Sequence, residues 1–259
     1  MKRLNILGCG IMGTQISALF YNLGFEVCIY TRKTKLKELE FQAKVLSKKL
    51  NLKPMQKGSF CFYTSIKSLP EALCIECLAE NLELKKECIK EFQNSHQRAI
   101  FSNSSSFSSK DLNCGLLHFF NPIYLKLIEL YDPKNEALTL IQDLKELDFC
   151  FIKAKGNRGN LANLLLFNEI SNFFKMIEKL DYSLQECELV YEKLYEKRDI
   201  LGIIDIIGVA ICDQICLNLH EQDLSFYYPK SFKKALELGI LGRKNKTKIK
   251  DFLLTIQEI

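Results

Sequence analysis

An apolar segment at residues 4–7 is followed by the glycine-rich run Gly8-Cys9-Gly10-Ile11-Met12-Gly13, and a second apolar segment with helical spacing starts at Ile16. In a strand–turn–helix unit of this kind, Gly8 allows the tight turn and Gly10 lets the backbone approach a pyrophosphate. Gly13 lets the helix lie close to the strand, so that the N–H groups at its start face the anion. The run predicts a dinucleotide site; the alternative is a glycine turn that binds no ligand.

A second residue that could do chemistry is His118, one of only three histidines in the chain. It lies in an apolar segment at residues 116–120, which Asn121-Pro122 ends. Ligands of open α/β sheets bind outside the carboxyl ends of the strands, and an imidazole titrates near neutral pH. These properties suit a general base. For the residue taken by itself, the competing interpretation is a core histidine that bonds a backbone carbonyl.

The composition is that of an ordinary globular enzyme: 259 residues, of which 47% are hydrophobic and 26% are charged. No apolar run reaches the ~20 residues that span a bilayer, and the basic start Met1-Lys2-Arg3 leads into a strand rather than a signal peptide. We therefore expect a cytoplasmic protein with no membrane partner.

The net charge of +5 lies largely in two lysine-rich stretches typical of solvated helix faces, and no motif predicts nucleic-acid binding.

The 11 cysteines are scattered through apolar segments. The closest pairs are Cys74 with Cys77 and Cys212 with Cys216, and neither is followed by the second cysteine or histidine pair of a zinc site. The sequence thus predicts reduced thiols that pack as small hydrophobic side chains, and it predicts no metal site.

The elements that position these residues alternate between strand and helix in the first part of the chain. Apolar β-type segments lie at residues 4–7, 26–30, 59–64, 72–78, 99–102, 116–120 and 126–129. Helical spacing marks the segment that ends at Leu23 and residues 35–50 and 84–92. Repeated strand–helix units predict an α/β fold with a Rossmann-type, mostly parallel sheet.

Beyond residue 155 the pattern changes to helices alone, which we predict at residues 160–180, 184–195, 203–219 and 231–238. We find no internal repeat and no low-complexity segment. The chain is therefore expected to divide into a dinucleotide-binding Rossmann domain at residues 1–155 and an all-helical domain at residues 156–259.

Further segments carry a family resemblance: ENLELKK at residues 80–86, SNSSS at 102–106, HFFNP at 118–122 with KLIE at 126–129, GNLANLL at 159–165 and ALELGILGRK at 235–244. Together with the glycine run, their order and spacing resemble the L-3-hydroxyacyl-CoA dehydrogenase family, which includes 3-hydroxybutyryl-CoA dehydrogenases. HFFNP is the most specific of these segments, and the resemblance covers nearly the whole chain.

The resemblance implies hydride transfer between NAD(P) and the C3 hydroxyl or keto group of a short-chain 3-hydroxyacyl-CoA. A secondary alcohol loses its proton as the hydride leaves, and His118 would be the base. By the same resemblance, Glu129 would orient the ring and stabilise its cation. Ser105 and Asn163 would hold the substrate oxygen by hydrogen bonds. The resemblance also implies a homodimer formed through the helical domain, for which the apolar residues between 203 and 211 would be suitable.

The cofactor side chains are implied in the same way. Around the nicotinamide half, the resemblance gives Glu80, Lys85, Asn121 and Lys244, with Ser105 shared between cofactor and substrate. A solvated helix position is the alternative for Lys85. The full predicted cofactor set is Gly8, Gly10, Ile11, Met12, Gly13, Thr31, Arg32, Lys33, Glu80, Lys85, Ser105, Asn121 and Lys244.

The chain departs from the family at the ribose position. Where NAD-dependent members place an acidic residue after the second strand, this chain has Thr31, followed by Arg32 and Lys33. Without a carboxylate, and with two cations beside a hydroxyl, the position suits a 2′-phosphate. We therefore expect NADP(H) to be preferred over NAD(H). The alternative is that the two cations begin a solvated helix and that the cofactor binds weakly.

A second departure shortens the chain between His118 and Glu129 by one residue relative to the family. A tightened loop could preserve the pair or displace it. Two alternatives for the function stay open: a dehydrogenase of a non-CoA hydroxy acid or sugar acid, and a nucleotide-binding family member with weak or lost catalysis.

Overall fold

The computed structural model describes residues 2–52, 58–155, 160–196 and 198–257. The chain divides into two compact units, Met1–Leu161 and Ala162–Ile259. The boundary predicted between residues 155 and 156 adjoins residues 156–159, which are not among those described.

The described residues of the first unit form an eight-stranded sheet. Its strands are β1 (Arg3–Leu7), β2 (Glu26–Tyr30), β3 (Ser59–Tyr63), β4 (Cys74–Glu76), β5 (Ile100–Ser102), β6 (Gly115–Phe119), β7 (Leu127–Tyr131) and β8 (Cys150–Lys153). The spatial order is β3-β2-β1-β4-β5-β6-β7-β8, and every neighbouring pair is parallel except β6 and β7. The predicted Rossmann-type, mostly parallel sheet is confirmed.

In the described part of this unit, five helices accompany the sheet: α1 (Ile11–Asn22), α2 (Leu36–Lys49), α3 (Leu82–Ser95), α4 (Ser109–Leu112) and α5 (Leu138–Lys145). The sequence pattern does not reveal α4, α5 or β8. Helix α4 is a single turn of four residues, and β8 is an edge strand in which no residue is fully buried. Such short elements give too few positions for a periodicity to stand out.

Strand β1 shows how the sheet is buried on both faces. Leu4 and Ile6 belong to one apolar core, which includes Phe20 of α1, whereas Leu7 belongs to a second core with Phe92 of α3. Successive side chains of a strand point to opposite faces, and central parallel strands are covered on both. The carboxyl end of β1, and with it the glycine turn, is therefore held rigidly at the edge of a packed sheet.

The second unit is helical, which confirms the predicted class. The helices beyond the sheet are α6 (Leu161–Lys179), α7 (Leu184–Tyr195), α8 (Ile200–Ile207), α9 (Val209–Gln222), α10 (Lys230–Glu237) and α11 (Ile249–Gln257). Their apolar faces share one core, in which Phe174 of α6 packs against Phe232 of α10.

The prediction of a single helix at residues 203–219 is wrong. Two helices occupy this stretch, α8 and α9, and they are bent by 100° about Gly208. Gly208 has a φ of +100°, a conformation that favours glycine. Ile204 before the bend and Cys212 after it enter the same core. The apolar pattern therefore continues through the bend, and periodicity alone does not reveal the break.

Among the described residues, no single helix has the length and apolar character needed to cross a membrane. The bent pair α8 and α9 meets the length and composition requirement only when the two helices are counted together.

Candidate active site

The glycine turn connects β1 to α1. Gly8 has a φ of +100°, and a Cβ there would lie 2.7 Å from the carbonyl oxygen of Cys77. A Cβ at Gly13 would overlap the carbonyl oxygen of Gly8, so both positions require glycine. At Gly10, by contrast, a Cβ would meet no described atom within 4 Å. The backbone there borders open space, as the approach of a pyrophosphate requires.

The start of α1 has hydrogen-bond donors to offer such a group. Its N-cap residue, Gly10, has no side chain, and no side-chain cap to these N–H groups occurs among the described residues. The helix dipole adds partial positive charge at the same end. Ile11 is exposed and Met12 half-buried beside the turn. The residues of this turn therefore fit the phosphates of a dinucleotide.

The predicted ribose position directly follows β2. The Thr31 hydroxyl donates to the Lys33 carbonyl oxygen at 3.0 Å and accepts from the Lys33 N–H at 3.3 Å, which closes a local turn. Arg32 and Lys33 are exposed, and neither forms an ion pair with a described residue. Two unneutralised cations thus lie at the end of this strand, where the resemblance calls for a carboxylate.

His118 and Glu129 contact each other across the antiparallel pair β6 and β7. The register places the two residues directly opposite one another, and His118 Nδ1 lies 3.0 Å from Glu129 Oε2. Both side chains are buried. The shortened connection between the strands contains a tight turn at Ile123–Leu125 and reverses the chain within the register of the pair. Of the two alternatives for this loop, the structure has the one that keeps the pair together.

The contact distinguishes the two ring nitrogens. When Glu129 is ionised, its carboxylate only accepts hydrogen bonds, and the neutral ring then donates through Nδ1. The second nitrogen, Nε2, is then the unprotonated one and can accept a proton. Next to this ring, the Phe119 N–H donates to Asn103 Oδ1 at 2.8 Å, which ties β6 to the end of β5.

The polar run after β5 is held by one carboxylate. Glu80 Oε1 accepts from the Ser105 N–H and the Ser106 N–H, each at 3.0 Å, and from the Ser104 and Ser106 hydroxyls. The Asn160 amide donates to the Ser104 carbonyl oxygen at 2.8 Å. Glu80 therefore sets the backbone that carries Ser105, the residue predicted to serve both cofactor and substrate.

Lys85 lies beneath this loop. Its side chain is 1% exposed, and its ammonium is 2.7 Å from Glu76 Oε1 and 3.2 Å from Glu80 Oε2. The alternative of a solvated helix lysine is therefore wrong. Burial alone would lower the pKa of Lys85, but the two carboxylates outweigh it and raise that pKa above its ordinary value. Likewise, burial opposes ionisation of Glu80, yet Lys85 and the serine donors lower its pKa.

Glu76 is a site-supporting residue that the sequence analysis does not identify. It is fully buried, and its second oxygen accepts from the Ser102 hydroxyl at 2.5 Å. A carboxylate in the middle of the apolar segment 72–78 is the signal that could have identified it, since a buried charge requires a partner.

Gln15 of α1 is a second such residue. Its amide nitrogen donates to Asn121 Oδ1, and its amide oxygen accepts from the Ile123 N–H, both at 3.3 Å. Gln15 thus bonds the helix of the glycine turn to the loop that follows His118. The bond from Gln15 holds the Asn121 side chain at the start of this loop.

Two predicted residues belong to the second unit. Asn163 lies in the first turn of α6, and Lys244 lies in the short turn Gly242–Asn245. The glycine that opens the segment at 159–165 lies outside the described residues. The contacts of Asn163 and Lys244 with substrate or cofactor stay predictions.

A family model agrees with this arrangement. The model described as "3-hydroxyacyl-CoA dehydrogenase, NAD binding domain" matches residues 3–148. This stretch contains the glycine turn, the serine run and the His118–Glu129 pair.

Solved structures are similar over almost the whole chain. M. tuberculosis FadB2 is 21% identical, with 96% of this chain and 98% of that one covered and a TM-score of 0.81. The (S)-3-hydroxybutyryl-CoA dehydrogenase PaaH1 from Ralstonia eutropha is 23% identical, with 96% and 98% covered and a TM-score of 0.78. A 5-formyl-3-hydroxy-2-methylpyridine 4-carboxylic acid 5-dehydrogenase, an NAD+ dependent dismutase, is 15% identical, with 96% and 90% covered and a TM-score of 0.70. At these identities the likeness is one of fold.

Proposed function

The chain belongs to the 3-hydroxyacyl-CoA dehydrogenase family, and from this premise we propose that it transfers a hydride between a nicotinamide dinucleotide and C3 of a short-chain 3-hydroxyacyl-CoA. The observation that carries the proposal is the contact of His118 Nδ1 with Glu129 Oε2 near the carboxyl end of β6. The test is to mix the protein with acetoacetyl-CoA and NADPH or NADH and to follow the nicotinamide absorbance. Turnover that is lost in His118→Ala supports the proposal.

The family resemblance suggests the role of each residue, and the chemistry of the side chains suits these roles. During oxidation, Nε2 of His118 accepts the proton of the C3 hydroxyl as the hydride leaves. The Glu129 carboxylate stabilises the imidazolium that forms, and burial keeps water from screening this attraction. During reduction the same ring returns the proton. Ser105 and Asn163 hold the substrate oxygen by hydrogen bonds. When bound, the nicotinamide dinucleotide supplies the hydride acceptor or donor.

The cofactor contacts that we propose are those of the predicted set, with one change. The glycine turn holds the pyrophosphate, and Glu80, Ser105, Asn121 and Lys244 serve the nicotinamide half. Lys85 acts on the cofactor through Glu80, because its ammonium is buried between two carboxylates.

We propose that this chain prefers NADP(H) to NAD(H). The support is the absence of a carboxylate from the turn after β2, together with the two exposed cations Arg32 and Lys33. A ribose 2′-phosphate would accept charge-assisted hydrogen bonds from them, and the Thr31 hydroxyl would not repel it.

Replacing both Arg32 and Lys33 with alanine is expected to weaken NADPH binding by about 10–100-fold, because each lost bond to a charged group costs about 1.5–3 kcal/mol before solvent screening. NADH binding should change little. Fluorescence titration of the purified protein measures both dissociation constants. Lys37→Ala, which removes an exposed lysine of α2 beyond the turn, is the matched control. Tighter binding of NADH than of NADPH by the unmodified protein would refute the preference.

Replacing Gln15 with leucine is expected to raise the KM for the cofactor or lower kcat by up to about tenfold, because the loop after His118 loses two hydrogen bonds to α1. Gln15→Glu should show an intermediate effect, since a carboxylate still accepts from Ile123 but cannot donate to Asn121. The control is Asn22→Leu, which removes a bond between α1 and the Ala43 carbonyl oxygen far from the loop. If Gln15→Leu changes only the thermal stability, as the control should, Gln15 has no positioning role.

A second candidate is a dehydrogenase of a non-CoA hydroxy acid or sugar acid. It is favoured by the shared fold of the pyridine carboxylic acid dehydrogenase. Tight cofactor binding without turnover of acetoacetyl-CoA would support this candidate, or a family member with weak or lost catalysis.

We further propose a cytoplasmic homodimer that forms through the helical unit. The support is the family resemblance, together with exposed apolar side chains such as Ile206 and Ile211. Sedimentation analysis gives the oligomeric state directly, and a monomer at assay concentration would exclude the dimer.

A further inference from the structure

A cluster of metal-ligating side chains lies on β2 and β3, away from the candidate active site. Glu26 and Cys28 belong to β2, and Cys61 belongs to β3. Glu26 Oε1 lies 3.9 Å from Cys28 Sγ and 3.8 Å from Cys61 Sγ, and the three atoms are all within 4.8 Å of one another. We propose that these three residues form a binding site for a thiolate-preferring divalent cation of the zinc type.

The register of the sheet creates the cluster. Cys28 and Cys61 are directly paired on the parallel strands, so their side chains emerge side by side on one face. Glu26 lies two residues before Cys28 and therefore points to the same face. None of the three belongs to a close cysteine pair, which is why a search for zinc spacings in the sequence finds no site here.

The separations suit tetrahedral coordination. Zinc binds sulfur at about 2.3 Å and carboxylate oxygen at about 2.0–2.2 Å, so donors of one tetrahedral ion lie roughly 3.5–3.8 Å apart. The sulfur–oxygen distances in the cluster are only slightly longer. Small side-chain rotations would close the gap, and three protein ligands leave a fourth position for water. Two thiolates favour zinc over magnesium or calcium, which prefer oxygen ligands.

The partial exposure of two of the three side chains allows an ion to enter. Cys28 is fully buried, whereas Glu26 and Cys61 are half-buried and reach solvent at the sheet edge. The site is therefore shielded on one side and open on the other.

Arg3 supports the carboxylate without occupying its ligating oxygen. Its guanidinium donates to Glu26 Oε2 at 2.9 Å, which leaves Oε1 directed at the two sulfur atoms. A divalent ion with two thiolates and one carboxylate carries a net charge of −1, which the Arg3 cation would balance. Such partners orient the ligands in metal sites.

Cys28 favours its thiol form when no cation is bound. Burial is the main cause that raises the pKa of Cys28, to about 12. Binding a cation would release the thiol protons and replace them with the metal charge.

The experiment uses reduced, tag-free full-length protein that has been stripped with a chelator and titrated with Co2+ as a spectroscopic probe for zinc. We expect stoichiometric binding with a sulfur-to-cobalt charge-transfer band in the near ultraviolet and intense visible bands of tetrahedral cobalt. Zn2+ should displace Co2+ and thereby abolish the charge-transfer band and the visible bands. It should also raise the unfolding temperature, because it binds the folded state. Cobalt bound without the sulfur band, or no binding, would overturn the proposal.

Single substitutions identify the ligands. Cys28→Ser, Cys61→Ser and Glu26→Gln should each weaken Co2+ binding at least tenfold, whereas Cys150→Ser, which removes an exposed thiol of β8, should not. A second measurement on the unmodified protein does not depend on how the variants fold. Zn2+ should protect Cys61 from alkylation, as read by mass spectrometry, and should leave Cys150 reactive. Equal labelling of Cys61 with and without Zn2+, or a Cys28–Cys61 disulfide that forms regardless of Zn2+, would also refute the site.

Discussion

His118→Ala is expected to lower kcat by about 10²–10⁴-fold, which is the usual contribution of a positioned general base. The substitution removes the ring nitrogen that would take the C3 hydroxyl proton. The dissociation constant of the cofactor should stay within about twofold of the unmodified value, because His118 is assigned no phosphate or ribose contact. Steady-state kinetics with acetoacetyl-CoA and fluorescence titration of the cofactor measure the two quantities.

Two further variants make this result specific. Glu129→Gln keeps a hydrogen-bond acceptor for Nδ1 but removes the charge that stabilises the imidazolium, so kcat should also fall by about 10²-fold or more. His96→Gln is the matched control. His96 is another buried histidine of the first unit, and its Nε2 lies 2.9 Å from the Leu69 carbonyl oxygen. The His96→Gln protein should be less stable than the unmodified protein and should keep the same kcat. A His118→Ala protein as active as the His96→Gln protein would show that His118 is only a core residue.

Lys85→Met is expected to reduce the free energy of unfolding by about 3–5 kcal/mol, because removing one partner of a buried ion pair leaves an uncompensated charge. The substitution leaves Glu76 fully buried and removes the ammonium that lies 2.7 Å from its carboxylate. Glu80 loses the same cation, and Ser105 depends on Glu80 for its backbone geometry. Urea unfolding measures the loss.

The neighbouring lysine provides the control. Lys86 is exposed and pairs with Glu83, at 3.7 Å, so Lys86→Met should change stability by less than about 1 kcal/mol. Equal stability of the Lys85→Met and Lys86→Met proteins would contradict the role assigned to the buried ammonium.

The stability loss in Lys85→Met should depend on pH, and its direction follows from the shifted pKa values of Glu80 and Lys85. The pKa of Glu80 is lowered below its ordinary 4.5, so its contribution to stability is present above pH 4.5 and is lost as the pH falls through the lowered value. The pKa of Lys85 is raised above its ordinary 10.5, so its contribution is complete below pH 10.5 and is lost as the pH rises through the raised value. The deficit of Lys85→Met should therefore be largest between these limits and should shrink in acid, where the Glu80 carboxylate becomes protonated.

The sequence predicts the sheet and the glycine turn because local patterns determine both. Apolar β-type segments and glycines with fixed spacing are visible within a few residues of one another. At Gly208, by contrast, local residue patterns do not predict the structure. Its positive φ bends the chain, yet the residues on either side remain apolar because both helices enter one core. The residue pattern is the same with or without the bend.

The supporting network of the site could not be predicted in this way. Glu76, Gln15 and Lys85 act through partners that the sheet order brings together from separate segments. The resemblance suggests Lys85 as a cofactor ligand, but only the fold shows it enclosed by two carboxylates. The Glu26–Cys28–Cys61 cluster likewise depends on strand register, which residue spacing does not contain.

We propose that the His118–Glu129 pair moves the proton during reduction of a short-chain 3-ketoacyl-CoA. The most direct test follows the absorbance of reduced nicotinamide when the protein meets acetoacetyl-CoA, in parallel for the unmodified and His118→Ala proteins. We expect a steady fall in absorbance for the unmodified protein, faster with NADPH than with NADH at equal low concentrations, and almost none for His118→Ala. Equal rates for the two proteins, or no turnover by the unmodified protein although it binds the cofactor, would contradict it.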